Sequence, residues 1–165
     1  MQMSIPSLSK TLGNLLFQQR LTITCAESCT GGGVASAITE TPGSSAWFNA
    51  GVVAYSNDMK QALLGVSERT LSEFGAVSEE VVCEMAIGAR DRTRASIGVS
   101  TSGVAGPSGG SAEKPIGMVC FGLVVGNKVS ASTEYFSGER AEVRSQSVAH
   151  ALQLVIRALE NKSTV

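Results

Sequence analysis

The sequence feature that most constrains the fold is a glycine-rich turn between a strand pattern and a helix pattern. Residues 21–26 are apolar and β-branched, as in a strand, and residues 34–40 have the pattern of a helix that ends before Pro42. The turn between them is Glu27-Ser28-Cys29-Thr30-Gly31-Gly32-Gly33. We therefore predict a strand, a sharp turn and a helix in direct succession.

The rest of the chain continues to alternate strands and helices. The pattern predicts a leucine-rich helix with an N-cap at Ser7, three further helices beginning near residues 57, 67 and 79, and a last helix over 139–160. It also predicts a buried strand at 51–55, a strand at 95–100 and a hairpin of 117–125 and 128–136. This alternation implies one three-layer α/β/α domain over residues 1–165. Its sheet is expected to be mixed and mostly parallel, with a C-terminal β-hairpin and helix.

Composition and charge exclude several classes of protein. Hydrophobic residues make up 43% and charged residues 16%, with a formal net charge of -1. This balance suits a compact globule and gives no basic surface for nucleic acid or membrane. Without a secretory signal or a long apolar run, we expect a cytoplasmic protein. The four cysteines form no CxxC pair and the chain has a single histidine to complete a metal site, so we expect reduced thiols and no metal.

Ser28 is the candidate nucleophile of the glycine-rich turn. It directly follows the first strand, and open α/β sheets bind ligands at such strand ends. The free N–H groups at the start of the following helix can stabilise an oxyanion. Alternatively, Ser28 is a helix N-cap, which on the pattern alone is the commoner role. Cys29 is the rival nucleophile, because a helix N-terminus favours a thiolate.

A nucleophilic serine needs a base, and the sequence offers two candidates. His150, the single histidine, lies in the last helix with no acidic partner evident from sequence, so we predict no Ser-His-Asp triad. Lys60 can act if burial lowers its pKa from about 10.4. It begins a helix after the strand that ends at Tyr55, which either relays a proton or packs its ring. The alternative for Lys60 is a solvated surface lysine.

Several motifs together carry a resemblance to a known family. They are Ala26-Glu27-Ser28-Cys29-Thr30-Gly31-Gly32, Gly43-Ser44-Ser45-Ala46-Trp47-Phe48, Tyr55-Ser56-Asn57-x-x-Lys60, Leu64-Gly65-Val66, Gly75-Ala76-Val77-Ser78, Ser102-Gly103-x-Ala105-Gly106-Pro107-x-Gly109-Gly110, Lys114-Pro115-x-Gly117 and Phe136-x-Gly138-x-Arg140. In this order, over roughly residues 8 to 160, they resemble the CinA C-terminal domain family, and most closely its stand-alone amidase members.

The resemblance implies an enzyme that hydrolyses the carboxamide of nicotinamide mononucleotide (NMN). The products would be nicotinate mononucleotide and ammonia, in pyridine nucleotide salvage, with no metal or organic cofactor. The resemblance also implies a homo-oligomer, with a dimer favoured. The alternative is a catalytically silent nucleotide-binding or regulatory module with the same fold.

The resemblance also implies residue roles. The family nucleophile corresponds to Ser28, and the assisting lysine and tyrosine correspond to Lys60 and Tyr55. The implied mechanism is acyl transfer, in which Lys60 takes the serine proton, directly or through Tyr55. The oxyanion would be held by backbone N–H groups of the turn at Cys29, Thr30 and Gly31.

A substrate with a phosphate needs an anion cradle, and the loop at 102–110 is the candidate. Its glycines offer backbone N–H groups, and Ser102 and Ser108 offer hydroxyls, while Arg140 can pair a phosphate bidentately. The predicted binding residues are Ser102, Gly103, Gly106, Gly109, Gly110 and Arg140. The spacing fits neither a Walker A loop nor a dinucleotide fingerprint. The alternative for the segment 102–110 is an ordinary loop, and the alternative for Arg140 is a contact with another subunit or with solvent. For Glu27 we expect a structural role.

Overall fold

The computed structural model describes residues 3–162, which alternate helices and strands as predicted. The elements are α1 (Ile5–Gln19), β1 (Ile23–Glu27), α2 (Gly33–Thr39), a 3₁₀ turn (Ser44–Ala46), β2 (Phe48–Val53), α3 (Asn57–Leu64), α4 (Glu68–Phe74), α5 (Glu79–Thr93), β3 (Ile97–Gly103), β4 (Met118–Val125), β5 (Lys128–Tyr135) and α6 (Arg140–Lys162).

The strands of this part of the chain form one mixed sheet in the order β2-β1-β3-β4-β5. β1 pairs in parallel with both β2 and β3, whereas β4 is antiparallel to β3 and to β5. Four of these five strands therefore share one direction and β4 opposes them. The prediction of a mixed, mostly parallel sheet with a C-terminal hairpin is confirmed.

The core consists of two apolar layers, one on each face of the sheet. Leu12 of α1, Ile38 of α2 and Leu152 of α6 belong to one layer. Leu64 of α3 and Met85 of α5 belong to the other. The predicted three-layer α/β/α architecture is therefore confirmed. No helix within residues 3–162 is both long enough and apolar enough to cross a membrane.

Two local predictions were wrong. The strand predicted as buried at 51–55 is β2, which spans Phe48–Val53 and is largely exposed. Its apolar sequence resembles a core strand, but β2 lies at the edge of the sheet with β1 as its one neighbour. The N-cap of α1 is Ser4, whose Oγ accepts from the Ser7 N–H. Pro6 allows this earlier start, because a proline in the first helical turn loses no hydrogen bond.

The topology brings three chain segments together at one edge of the sheet. Because β1, β2 and β3 are parallel, their carboxyl ends meet there, followed by the turn at Ser28, by Tyr55 and by the loop after Gly103. α3 starts beside this edge and packs closely on α5. A Cβ added at Gly88 of α5 would lie 1.8 Å from the Leu64 carbonyl oxygen, so only glycine allows this approach.

Candidate active site

Ser28 is held by backbone hydrogen bonds at the end of β1. Its N–H donates to the Thr101 carbonyl of β3 at 3.0 Å, and its own carbonyl accepts from the Gly31 N–H at 3.0 Å. The side chain is 8% exposed. The N-cap of α2 is Gly32, with no side-chain capping bond, so the alternative that Ser28 caps this helix is wrong. The Ser28 hydroxyl is left available for chemistry.

Glu27 stabilises the turn through hydrogen bonds to its carboxylate. Its carboxylate accepts from the backbone N–H groups of Val34 at 2.8 Å and Ala35 at 3.0 Å, and from the Thr30 hydroxyl at 2.6 Å. A buried carboxylate is well placed there, since these are the unpaired N–H groups of the first turn of α2. The structural role predicted for Glu27 is confirmed.

Lys60 lies beside Ser28 and is almost fully buried. The side chain is 2% exposed. Its Nζ donates to Ser28 Oγ at 3.0 Å and to the Tyr55 carbonyl at 3.2 Å. Burial lowers the pKa of the amine, because the charged form loses solvation. No carboxylate of residues 3–162 forms an ion pair with it. The alternative of a solvated surface lysine is wrong.

Tyr55 contacts the site in two ways. Its carbonyl holds Lys60 Nζ, as described, and its side chain is 60% exposed. The hydroxyl accepts from Arg140 Nη2 at 3.1 Å. In this conformation the phenol therefore pairs with Arg140, and proton relay through it stays a prediction.

Arg140 and Ser102 differ in how free they are to bind a ligand. Arg140 donates from Nη1 to the Gly106 carbonyl at 2.8 Å, which ties the start of α6 to the loop after β3. Ser102 is 2% exposed, and its hydroxyl donates to the Ala76 carbonyl at 2.8 Å. Ser102 is thus already engaged, which weakens its predicted role as a phosphate donor.

A cavity of about 320 Å³ opens at this edge of the sheet. Its lining includes most of the predicted site residues, namely Ser28, Cys29, Tyr55, Lys60, Ser102, Gly103, Gly106, Gly109 and Arg140. Thr30, Gly31 and Gly110 are not part of the lining. The lining residues that the structure describes include no carboxylate, and Arg140 among them carries a permanent positive charge. The cavity therefore suits a small anionic ligand.

The rival groups are poorly suited to catalysis. Burial raises the pKa of the Cys29 thiol to about 11, so the group is a thiol at neutral pH. His150 packs on the rings of Phe121 and Phe136, outside the cavity lining. Its Nε2 lies 3.7 Å from the Glu134 carboxylate, an acidic partner that the sequence did not reveal. Neither His150 nor Glu134 lines the cavity that contains Ser28.

Sequence reasoning missed Arg144. Its Nε donates to the Cys29 carbonyl and its Nη2 to the Thr30 carbonyl, each at 3.2 Å. Arg144 lies one helical turn after Arg140 on α6, so the two side chains share a face. That i, i+4 spacing was the signal available in the sequence.

Fold and site together define a class of protein: a three-layer α/β protein whose buried serine and lysine meet at a basic cavity beyond the carboxyl ends of the strands. More specifically, the chain belongs to the CinA C-terminal domain family, whose model matches residues 5–159. The family resemblance predicted from sequence is confirmed.

Individual relatives cover most of the chain. "Nicotinamide-nucleotide amidohydrolase PncC" of Enterobacter agglomerans is 52% identical over 91% of this chain and 92% of its own length. The protein of the same name from Escherichia coli K12 is 52% identical over 88% of this chain and 89% of its own length. The crystal structure of a CinA superfamily protein from Enterobacter cloacae superposes with a TM-score of 0.93 at 36% identity, covering 96% of this chain and 94% of that one.

Proposed function

We propose that this protein is a nicotinamide-nucleotide amidohydrolase that converts NMN and water to nicotinate mononucleotide and ammonia, in pyridine nucleotide salvage. The relatives that carry this name support the substrate. The single observation that carries the chemistry is the 3.0 Å contact between Lys60 Nζ and Ser28 Oγ in a buried site. A neutral amine at this distance can accept the hydroxyl proton.

Acylation begins with attack of Ser28 Oγ on the carboxamide carbon. Lys60 takes the Oγ proton as the new C–O bond forms, and the carbonyl oxygen becomes an oxyanion. Lys60 then gives this proton to the carboxamide nitrogen. The C–N bond breaks and ammonia leaves, so Ser28 carries an ester of nicotinate mononucleotide.

Deacylation repeats these steps with water as the nucleophile. Water gives a proton to Lys60 and attacks the ester carbon. The bond to Ser28 Oγ breaks, and Lys60 returns the proton to Oγ. Nicotinate mononucleotide is released and the enzyme regains its first state, with no cofactor consumed.

The N–H groups of Cys29 and Thr30 are the proposed oxyanion donors. Within the described part of the chain, neither N–H has an oxygen acceptor. The Gly31 N–H is bonded to the Ser28 carbonyl, so we assign Gly31 to the shape of the turn instead. Donors held in place before the reaction stabilise the oxyanion without further reorganisation.

Arg140 and the loop after β3 are the proposed phosphate site. Arg140 uses one N–H on Gly106 and one on Tyr55, which leaves further donors of its guanidinium for a phosphate. The backbone of Gly106 and Gly109 lines the same cavity. The homodimer expected from the resemblance and the cytoplasmic location expected from the sequence pattern stay predictions.

The test is ammonia release from NMN by the purified protein, with nicotinate mononucleotide identified as the second product. Ser28→Ala is the matched control, because it removes one oxygen atom. We expect turnover by the wild type and at least about a 10³-fold loss in the variant. Saturable NMN binding without ammonia release by the wild type would instead favour the silent nucleotide-binding module.

A further inference from the structure

Arg144 holds the backbone of the nucleophile turn from outside the cavity. Its Nε and Nη2 form one edge of the guanidinium, and this edge donates to two successive carbonyls, those of Cys29 and Thr30. Such a fork has fixed geometry, which a lysine would not reproduce. Arg144 is half-buried and is not part of the cavity lining, so it does not contact a ligand placed there.

Because a peptide bond is planar, holding its carbonyl also fixes the direction of its N–H group. In a trans peptide the carbonyl and the following N–H point in opposite directions. Arg144 draws the Cys29 carbonyl toward α6, and the Thr30 N–H of the same peptide is therefore directed away from Arg144. That N–H has no oxygen acceptor within residues 3–162.

The internal bonds of the turn hold the Ser28 carbonyl, the Thr30 carbonyl and the Thr30 hydroxyl, but not the peptide between Cys29 and Thr30. Within residues 3–162 the Cys29 carbonyl is held by Arg144. Gly31 has φ +56° and Gly32 has φ +101°. Glycine populates positive and negative φ about equally, so these two residues do not by themselves fix the backbone of the turn. Rotation of the Cys29–Thr30 peptide would replace the free N–H by a carbonyl oxygen, which repels an oxyanion. The Ser28 carbonyl, bonded to Gly31, anchors the turn on one side, and Arg144 anchors it on the other.

We propose that Arg144 is a positioning residue for the oxyanion hole: by holding the Cys29 and Thr30 carbonyls it keeps the Thr30 N–H directed at the oxyanion that forms when Ser28 attacks. This inference rests on the amidohydrolase function proposed above. The positive guanidinium also polarises the peptide that it holds, which makes the opposite N–H a stronger donor.

An oxyanion is present in the transition state and absent from bound substrate, so Arg144 should affect kcat more than KM. Removal of one oxyanion donor lowers kcat by about 10²–10³-fold in enzymes of this kind. Because Arg144 acts through the backbone, we expect Arg144→Met to lower kcat by about 10–100-fold, with KM changed less than about threefold.

The experiment compares Arg144→Met and Arg144→Lys with Arg157→Met, an exposed arginine on the same helix. Both kcat and KM for ammonia release are measured, at a temperature where circular dichroism shows each variant folded. We expect Arg144→Met to lose kcat, Arg144→Lys to retain part of it, and Arg157→Met to match the wild type. Guanidinium ion at millimolar concentration should partly restore kcat in Arg144→Ala, which a purely structural role would not allow.

The outcomes separate this inference from the function on which it rests. A wild type that releases no ammonia from NMN overturns the proposed function and the role of Arg144 with it. A working wild type matched within twofold by folded Arg144→Met overturns the role of Arg144 alone. A change confined to KM has the same consequence, because it would place Arg144 in substrate binding.

Discussion

Lys60 Nζ donates to Ser28 Oγ at 3.0 Å, although the two residues lie on different elements and both are buried. β1 delivers Ser28 to the sheet edge, and α3, capped by Ser56, returns Lys60 to the same point. Burial without a carboxylate partner among residues 3–162 favours the neutral amine, which is the form that a base requires. This pair is the basis of the predictions below.

Cys29 can be removed without loss of the chemistry. Its thiol stays protonated at neutral pH because its pKa is about 11, and only its backbone N–H has a proposed role. We expect Cys29→Ala to keep kcat for ammonia release within about threefold of the wild type. A loss in Cys29→Ala as large as that in Ser28→Ala would identify the cysteine as the nucleophile.

The pH dependence of kcat/KM should report the deprotonation of Lys60. Burial lowers the pKa of this amine, so the rate should rise with pH and level off below about pH 10.4, the unperturbed value. The measurement is best made above pH 6.5, because a phosphate monoester takes its second charge near pH 6. His150→Gln is the control and should leave the profile unchanged. A rate that falls as pH rises from 7 to 9 would contradict a lysine base.

The lowered pKa of Lys60 also has a consequence for stability. The unfolded chain keeps this proton up to about pH 10.4, whereas the folded site releases it at lower pH. The unfolded state therefore binds more protons between the folded and the unfolded pKa, and the free energy of unfolding gains a term that rises with pH there. Lys60→Met lacks that term. Urea unfolding from pH 7 to 10 should show the wild type gaining stability relative to Lys60→Met, and an opposite trend would exclude a lowered pKa.

Gly88 controls the distance between α5 and α3, the helix that carries Lys60. A Cβ at this position would overlap the Leu64 carbonyl. Alanine improves helix propensity by about 1 kcal/mol, but overpacking of a backbone contact costs about 1–3 kcal/mol and usually more than cancels that gain. We expect Gly88→Ala to lower the free energy of unfolding in urea, and Gly88→Ser to lower it further. A stabilised Gly88→Ala would show that α3 can move away freely.

Much of the fold was predictable because hydrophobic periodicity marks which elements have buried faces. The α5 stripe, the hairpin at Gly126 and the turn after β1 all follow from local patterns. The exposure of β2 was not predictable, since the apolar composition of a strand does not show whether it lies at the edge or at the centre of a sheet.

The site was predictable in its main groups and not in their partners. Ser28 stands in the turn after a clear strand signal and Lys60 in a helix with a clear N-cap signal, and the family resemblance singled them out. The bond from Ser102 to Ala76 depends on where the segment before α5 lies, and the bonds from Arg144 depend on how α6 crosses the turn. Such contacts are set by tertiary packing: the spacing of Arg140 and Arg144 places both on one face of a helix but does not show which groups they bind.

A double-mutant cycle on kcat for ammonia release from NMN tests most directly whether Ser28 and Lys60 act as one unit. The proteins compared are the wild type, Ser28→Ala, Lys60→Met and the double variant. We expect each single change to lower kcat by at least about 10³-fold and the double variant to be no slower than the singles. Losses that multiply in the double variant, or a Ser28→Ala protein that turns over at the wild-type rate, would contradict a serine nucleophile activated by Lys60.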